Sequence, residues 1–346
     1  MPYTNKIKKT IKNLQRLSET QDIDFTEEIE SLEKKITQLN KREPDKWKEA
    51  KHKHTPWERV KMTRNLDRPK PNDYIFGLLK NFTELHGDRV VGDDSAVIGG
   101  IGWLKDIPVT AIGTRRGKEL KENMRVNFGM VHPEGYRKAL RLAKQAERFN
   151  RPVLFFVDTP GAFCGIEAEE RGISEAIARN LYEFSDLNVP TLTIITGEGG
   201  SGGALGLTVS NKIYMMENST LSVISPEGCA SILFKDSSKA DQAASSLKLT
   251  PYDLYELGII DEIVPEKNDF EAKPQETFKQ IQQLLYKDVS EFMLMNKNKL
   301  CDQRYNKYRN IGFFETMEPN STFSVNSTNH PDNFFRKLGK FFGFNQ

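Results

Sequence analysis

Two glycine-rich loops, each running out of a short apolar segment, constrain this chain more than any other feature. VLFFV (153–157) leads into DTPGAFCG (158–165), and TLTIIT (191–196) leads into GEGGSGGALG (197–206). Apolar runs this short, bounded by turn residues, read as buried strands. The segments around them read as helices: 133–150, opened by Pro133, and 168–185, with Ile173, Ile177, Leu181 and Phe184 on one face. AVIGGIGW (96–103) and IPVTAIG (107–113) predict a hairpin across LKD, while KIYMM (212–216) and LSVIS (221–225) add strands. The class is α/β, a mostly parallel sheet covered by helices. Both loops then fall at carboxyl ends of neighbouring strands, where open α/β sheets bind ligands.

The flanking segments differ. Phe25, Ile29, Leu32, Ile36 and Leu39 make a helical seam, and Ile7, Ile11, Leu14 and Leu17 supply a matching stripe. The chain therefore divides into an N-terminal helical hairpin (1–42), a basic connector (43–72) punctuated by Pro44, Pro56, Pro69 and Pro71, a main domain (73–315) and a flexible tail (316–346). Within the main domain, 250–310 reads as helical around GIIDEIV (258–264). The tail ends in FFRKLGKFFGF (334–344), too short to span a bilayer.

Composition excludes several classes. Cys164, Cys229 and Cys301 lie far apart with no C-x-x-C pair, which excludes a disulfide framework and a zinc site built from this chain's thiols. No apolar run reaches the ~18–20 residues of a membrane helix, and the N-terminus lacks a signal-peptide core, so a cytoplasmic location is expected. Net charge is only +2, yet Lys and Arg concentrate in 41–70 and 115–150. Such patches suit phosphate-bearing ligands, acidic partners or solvated faces. Salt-sensitive nucleic-acid binding through 41–70 is a secondary alternative, although the chain holds no recognised DNA or RNA module.

The second loop spells two motifs that make incompatible claims. Gly197, Gly199 and Gly202 form G-x-G-x-x-G, with Glu217 twenty residues on. The gap from Gly203 to KIYMM is too short for the crossover helix of a dinucleotide fold. Gly199, Ser201 and Gly203 form G-x-S-x-G, but the only later histidine is His330 in the tail, so a serine hydrolase lacks its base. In the first loop, Asp158 to Gly161 read D-x-x-G, without any phosphate-loop motif in the chain. What the three share is backbone N–H groups freed by glycine and aimed from a helix N-terminus at an anionic oxygen, an oxyanion hole without a side-chain nucleophile. The competing account is two tight turns packed against each other.

ELHGDR (84–89), NFGM (127–130), PEGYRKALRL (133–142), DTPGA (158–162), EERG (169–172), SEAIARNL (174–181), GEGGSGGALG (197–206) and NSTLSVISPEGCASIL (218–233) occur in this order. In them the chain resembles the alpha subunits of bacterial acetyl-coenzyme A carboxylase carboxyltransferases, over roughly residues 5–315. The resemblance implies a crotonase-like spiral of ββα units. It also implies transfer of a carboxyl group from N-carboxybiotin, on the biotin carboxyl carrier protein, to acetyl-CoA, giving malonyl-CoA for fatty-acid synthesis. The implied partners are a beta subunit in an α2β2 assembly and biotin carboxylase in the wider complex, with zinc on the beta subunit and no metal on this chain. Another biotin-dependent carboxyltransferase or decarboxylase of the same fold is the enzyme alternative.

On the resemblance, the N–H groups of Gly202, Gly203 and Ala204 are candidates for the hole that receives charge on biotin's ureido oxygen, and Gly161 and Ala162 complete or wall the pocket. No general-base side chain is required. Glu198 orients the loop and Ser201 is a loop hydrogen-bonder. Arg125, Arg137 and Arg141 are candidates for CoA phosphates, for the partner, or for plain solvation. Phe163-Cys164 stands where the family usually has Tyr-Pro, so Phe163 replaces a tyrosine contact near biotin, and Val131 replaces a usual proline.

Overall fold

In the computed structural model, the structure describes residues 2–21, 24–26, 28–30, 32–33, 36, 47–267 and 270–312. The tail expected at 316–346 lies outside the described residues, as do parts of the arm and connector. Helix α1 (Pro2–Gln21) buries Ile7 and Ile11 against Ile29, Leu32 and Ile36 of a second helical stretch.

The connector is more ordered and more buried than its charge suggests. It holds α2 (Lys48–Lys53), α3 (Pro56–Thr63) and the start of α4 (Pro71–Leu78). Thr55 caps α3 with a capping box through Glu58, and Pro56 and Pro71 sit at helix starts, where a missing N–H costs nothing. Arg59, Arg68 and Lys70 are buried: Arg59 and Arg68 find acceptors on the domain they wrap, Glu217 O and Thr196 O, and Lys70 finds Asn65 O within the connector.

The main domain is one eight-stranded sheet. Its strands are β1 (Lys80–Glu84), β2 (Val97–Leu104), β3 (Ile107–Thr114), β4 (Val153–Thr159), β5 (Thr191–Gly200), β6 (Lys212–Met216), β7 (Thr220–Ser222) and β8 (Glu262–Val264). The order is β1-β2-β3-β4-β5-β6-β8, with β7 against the far end of β5. The first three strands pair antiparallel and the rest parallel. Alternate side chains serve two cores, as a strand's period of two requires. Val153, Phe155 and Val157 enter one core, Leu154 and Phe156 the other, and β5 and β6 divide likewise. Each fully buried Phe contributes about 1.5–3 kcal/mol, which explains why β4 reads as a continuous apolar run.

Helices α5 (Leu120–Arg125), α6 (Pro133–Arg148), α7 (Ile166–Glu170) and α8 (Ile173–Ser185) follow in the first half of the domain. The helix expected over 168–185 is in fact two, broken at Gly172, whose φ of +78° suits glycine. The strand expected over 221–225 stops at Ser222, because Ser225 instead caps α10 (Pro226–Phe234). Between them α9 (Ser201–Leu205) starts directly at the end of β5. The chain continues through α11 (Ala240–Leu247) and α12 (Pro251–Glu256) to α13 (Gln275–Met293), which covers the second core, and α14 (Lys297–Arg309).

Candidate functional site

Because β4 and β5 are parallel neighbours, with Thr159 opposite Gly199, both glycine loops leave the same edge of the sheet. They touch backbone to backbone. A Cβ on Gly200 would overlap Pro160, and one on Gly203 would overlap Gly161 and Ala162 main-chain atoms. These two glycines are thus required by close approach, as the packing account of the motif supposes. Gly202 and Gly161 differ. A Cβ at Gly202 meets only Ile177 Cδ1 at 3.9 Å, and at Gly161, with φ +155°, it meets nothing within 4 Å. One face of the loop pair is therefore open.

The turn from β5 into α9 passes through Ser201 at φ +47°, a left-handed conformation rare for serine, and leaves its side chain exposed. The first N–H groups of a helix have no intrahelical acceptor, and Gly200 before α9 offers no side-chain cap. Tyr136 Oη, fully buried, donates to Gly203 O at 3.0 Å, and this fixes the peptide plane that carries the Ala204 N–H. Asn180 Nδ2 donates to Gly206 O and Tyr136 O, both at 3.1 Å. Sequence reading missed both residues, although they lie in the quoted PEGYRKALRL and SEAIARNL segments.

Beneath the loops lies a charged network that nothing in the sequence announces. Arg116 Nη1 donates to Asp158 Oδ1 at 2.9 Å and to Glu198 Oε2 at 2.8 Å. Arg64 Nε reaches Glu198 Oε1 at 2.9 Å and its Nη1 reaches Glu227 Oε1 at 2.5 Å. Glu198 N donates to Asp158 Oδ1 at 2.9 Å, tying the two loops together. The Glu198 carboxylate is thus held by two arginines and positions the loop rather than facing outward. Burial opposes the Arg116 charge, yet Asp158 and Glu198 outweigh it and raise its pKa. Burial pushes the Lys70 ammonium down, against the pull of Asp158. Arg68, also held charged against burial by Glu266, donates to Thr196 O at 3.0 Å and so braces β5 from the connector.

The first loop is pinned from its other side. Ala162 bridges Val131, and Phe163 N donates to Val131 O at 3.0 Å. The Phe163 ring stacks on His132, centroids 4.1 Å apart, and His132 N donates to Asp94 Oδ2 at 2.8 Å. Cys164 beside it is exposed.

The three arginines named as candidates for CoA phosphates, for the partner or for plain solvation lie outside the two glycine loops. Arg137 Nε donates to Asp88 Oδ2 at 2.8 Å, and Arg141 Nε to Gly87 O at 2.9 Å, so both brace the 86–92 turn. Arg125 is exposed at the end of α5. Within the connector Arg59, Arg68 and Lys70 are buried and Arg64 pairs with Glu198 and Glu227, so these four are taken up by the fold. Among the described residues no group of three His, Cys, Asp or Glu side chains is placed to hold a metal, and no helix is long and apolar enough to cross a membrane.

Comparison with known proteins identifies what this arrangement is similar to. The family model for acetyl co-enzyme A carboxylase carboxyltransferase-like proteins matches residues 3–312. The acetyl-coenzyme A carboxylase carboxyl transferase subunit alpha of Listeria monocytogenes (strain HCC23) is 48% identical over 316 residues, 90% of this chain and 96% of the relative. That of Geobacillus thermodenitrificans is 50% identical over 88% of this chain and 92% of the relative. Among solved structures, a Pseudomonas malonate decarboxylase hetero-tetramer in complex with coenzyme A superimposes with a TM-score of 0.54 at 17% identity, covering 71% of this chain and 95% of that one. The transcarboxylase 12S core gives 0.51 at 17% identity, covering 73% of this chain and 44% of that one. These two structural likenesses show the fold alone, the crotonase-like one expected from the sequence.

Proposed function

We infer the activity from one premise: the chain belongs to the acetyl co-enzyme A carboxylase carboxyltransferase-like family. It acts as the alpha subunit of an acetyl-CoA carboxylase carboxyltransferase, which moves a carboxyl group from N-carboxybiotin to acetyl-CoA to form malonyl-CoA. The substrates and partners follow from the premise: carboxybiotin on its carrier protein, acetyl-CoA, and a beta subunit in an α2β2 assembly, with biotin carboxylase in the wider complex.

The observation that carries the site is the pairing of two glycine loops at adjacent strand ends, closed on one side by backbone packing and open at Gly161 and Gly202. An open face beside the first turn of α9 fits a ureido ring that presents an oxygen to N–H donors. When bound, biotin supplies the carboxyl group and a ureido oxygen that gains negative charge as the carboxyl departs. The N–H groups of Gly202, Gly203 and Ala204 donate to that oxygen, and such preorganised donors cost no reorganisation during reaction. Gly161 and Ala162 wall the pocket, and Phe163, stacked on His132, sets the position of that wall. Ser201 and Glu198 shape the turn; Glu198 acts through Arg64 and Arg116.

Beside this edge, Val223, Ile232 and Leu233 are exposed, and they offer the beta subunit an apolar contact. The test is carboxyl transfer from malonyl-CoA to biocytin by this chain paired with its beta subunit. Gly202→Ala adds a methyl in open space, so the variant assembles normally while turnover falls at least about tenfold. Unchanged turnover would remove the loop from the active site and leave it a structural turn.

A further inference from the structure

Helix α9 is too short to hold its own shape. It has five residues, a single turn, and forming a first turn fixes several residues for one hydrogen bond, so a turn of this length does not persist alone. Its own backbone closes part of it: Gly206 N donates to Gly202 O at 3.0 Å, and Leu207 N and Thr208 N donate to Ala204 O and Leu205 O at 2.9 and 3.1 Å. Two further carbonyls are taken by side chains from other helices. Tyr136 Oη of α6 donates to Gly203 O, and Asn180 Nδ2 of α8 donates to Gly206 O.

We propose that Tyr136 is a positioning residue for carboxyl transfer: its hydroxyl, braced by Asn180, holds the α9 turn in the orientation that its N–H donors need. The inference rests on the transferase reading of the loops and adds the means by which their donors stay aimed. Three observations carry it. The first is direction. Gly203 C=O and Ala204 N–H belong to one planar peptide unit and point opposite ways. A hydroxyl that fixes the carbonyl therefore fixes the N–H toward the start of the helix, where Gly202 faces open space. The second is fit. A Cβ on Gly206 would lie 2.8 Å from Tyr136 Cε1 and 3.0 Å from Cδ1, so the missing side chain at 206 admits the tyrosine ring. Gly203 meanwhile lies against the main chain of Gly161 and Ala162, so the turn is held between the first loop and that ring.

The third is the brace. Asn180 Nδ2 also donates to Tyr136 O at 3.1 Å, so one amide ties the end of the α9 turn to the residue that holds its middle. Tyr136 and Asn180 are both fully buried, and burial pushes the Tyr136 phenol up, so it keeps its proton and remains a donor. Preorganised donors act because they need no rearrangement as charge develops, and a small misplacement of reacting groups is felt strongly in the rate. The hydroxyl therefore acts on turnover through the turn, without touching either substrate.

The test uses the full chain assembled with its beta subunit and two variants. Tyr136→Phe removes the hydroxyl and keeps the ring beside Gly206; Tyr252→Phe removes another buried hydroxyl, on α12, which donates to Glu217 Oε1 at 3.0 Å. Hydrogen–deuterium exchange over residues 201–207, read by mass spectrometry, is expected to quicken about tenfold in Tyr136→Phe and to stay unchanged in Tyr252→Phe. In carboxyl transfer from malonyl-CoA to biocytin, kcat of Tyr136→Phe falls about tenfold, equivalent to about 1.4 kcal/mol in the barrier. Both KM values stay within about twofold, and Tyr252→Phe keeps its kcat. Unchanged exchange at 201–207 overturns the proposal whatever the activity. Faster exchange with an unchanged kcat overturns it too, as does an equal loss of kcat in both variants, which would mark a general loss of stability. Gly202→Ala separates this failure from that of the transferase reading. If Gly202→Ala loses turnover and Tyr136→Phe does not, only the positioning role falls; if neither loses turnover, the loop is not the site.

Discussion

Neighbouring glycines in one loop do different work, and single methyl groups separate them. Gly203 lies against the main chain of Gly161 and Ala162, whereas Gly202 faces open space. Gly203→Ala forces two backbones apart and costs about 1–3 kcal/mol as overpacking does, so thermal denaturation registers it before any assay. Gly202→Ala leaves the melting temperature unchanged and registers only in turnover. A loss of stability at 202, or none at 203, contradicts this division. Asp93 offers a pH-dependent counterpart. Burial works against its charge, but hydrogen bonds from Lys138, Gly87 N–H and His86 prevail and hold its pKa at about 2. A carboxylate depressed in the folded state stabilises the fold above its unfolded value near 4 and loses that contribution as pH falls toward 2. Asp93→Asn therefore flattens the acid limb of a stability profile between about pH 4 and 2, and an unchanged limb would show that other carboxylates govern it.

At the scale of elements, the strand ends are held by side chains from distant parts of the chain. Arg116 follows β3 yet joins Asp158 near the end of β4 to Glu198 near the end of β5, and Arg64 ties Glu198 to Glu227 of α10. Asp158 is almost wholly buried. Arg116→Met keeps the bulk but strands that carboxylate, a loss of about 3–5 kcal/mol measurable by urea unfolding; a change below about 1 kcal/mol would mean that Asp158 finds another partner. The network also marks where sequence reading stops. Strands β4 and β5 and the glycine loops were legible because local composition dictates them: both faces of β4 are buried, and Gly200 and Gly203 tolerate no side chain. Arg68 and Glu266 are 198 positions apart, and no periodicity links them. A run of Lys and Arg between prolines looks the same whether it faces solvent or, as with Arg59 and Arg68, fills the interior. Tyr136 was hidden for a related reason, since a helix stripe shows that a residue is buried but not which carbonyl its hydroxyl meets.

For the whole molecule, the sheet buries a core on each face, and part of the apolar surface left exposed among the described residues lies on the chain that leaves β7 and on α10. Strand β7 pairs with the glycine end of β5 at Glu198–Gly200, and the chain then turns through exposed Val223 into α10. On α10, Cys229 and Ala230 face inward against Ala243, while Ile232 and Leu233 remain 70% and 58% exposed. Contiguous apolar surface of this kind marks association sites, and in an assembly of alpha and beta subunits it would be covered beside the reacting groups. Ile232→Glu with Leu233→Glu touches neither the inner face of α10 nor the Arg64–Glu227 pair at its start. The doubly substituted chain therefore keeps its circular dichroism and melting temperature, but fails to co-elute with the beta subunit in size exclusion and loses carboxyl transfer in proportion. If it co-elutes and turns over normally, α10 lies on a free surface and the beta subunit approaches the loops from another side.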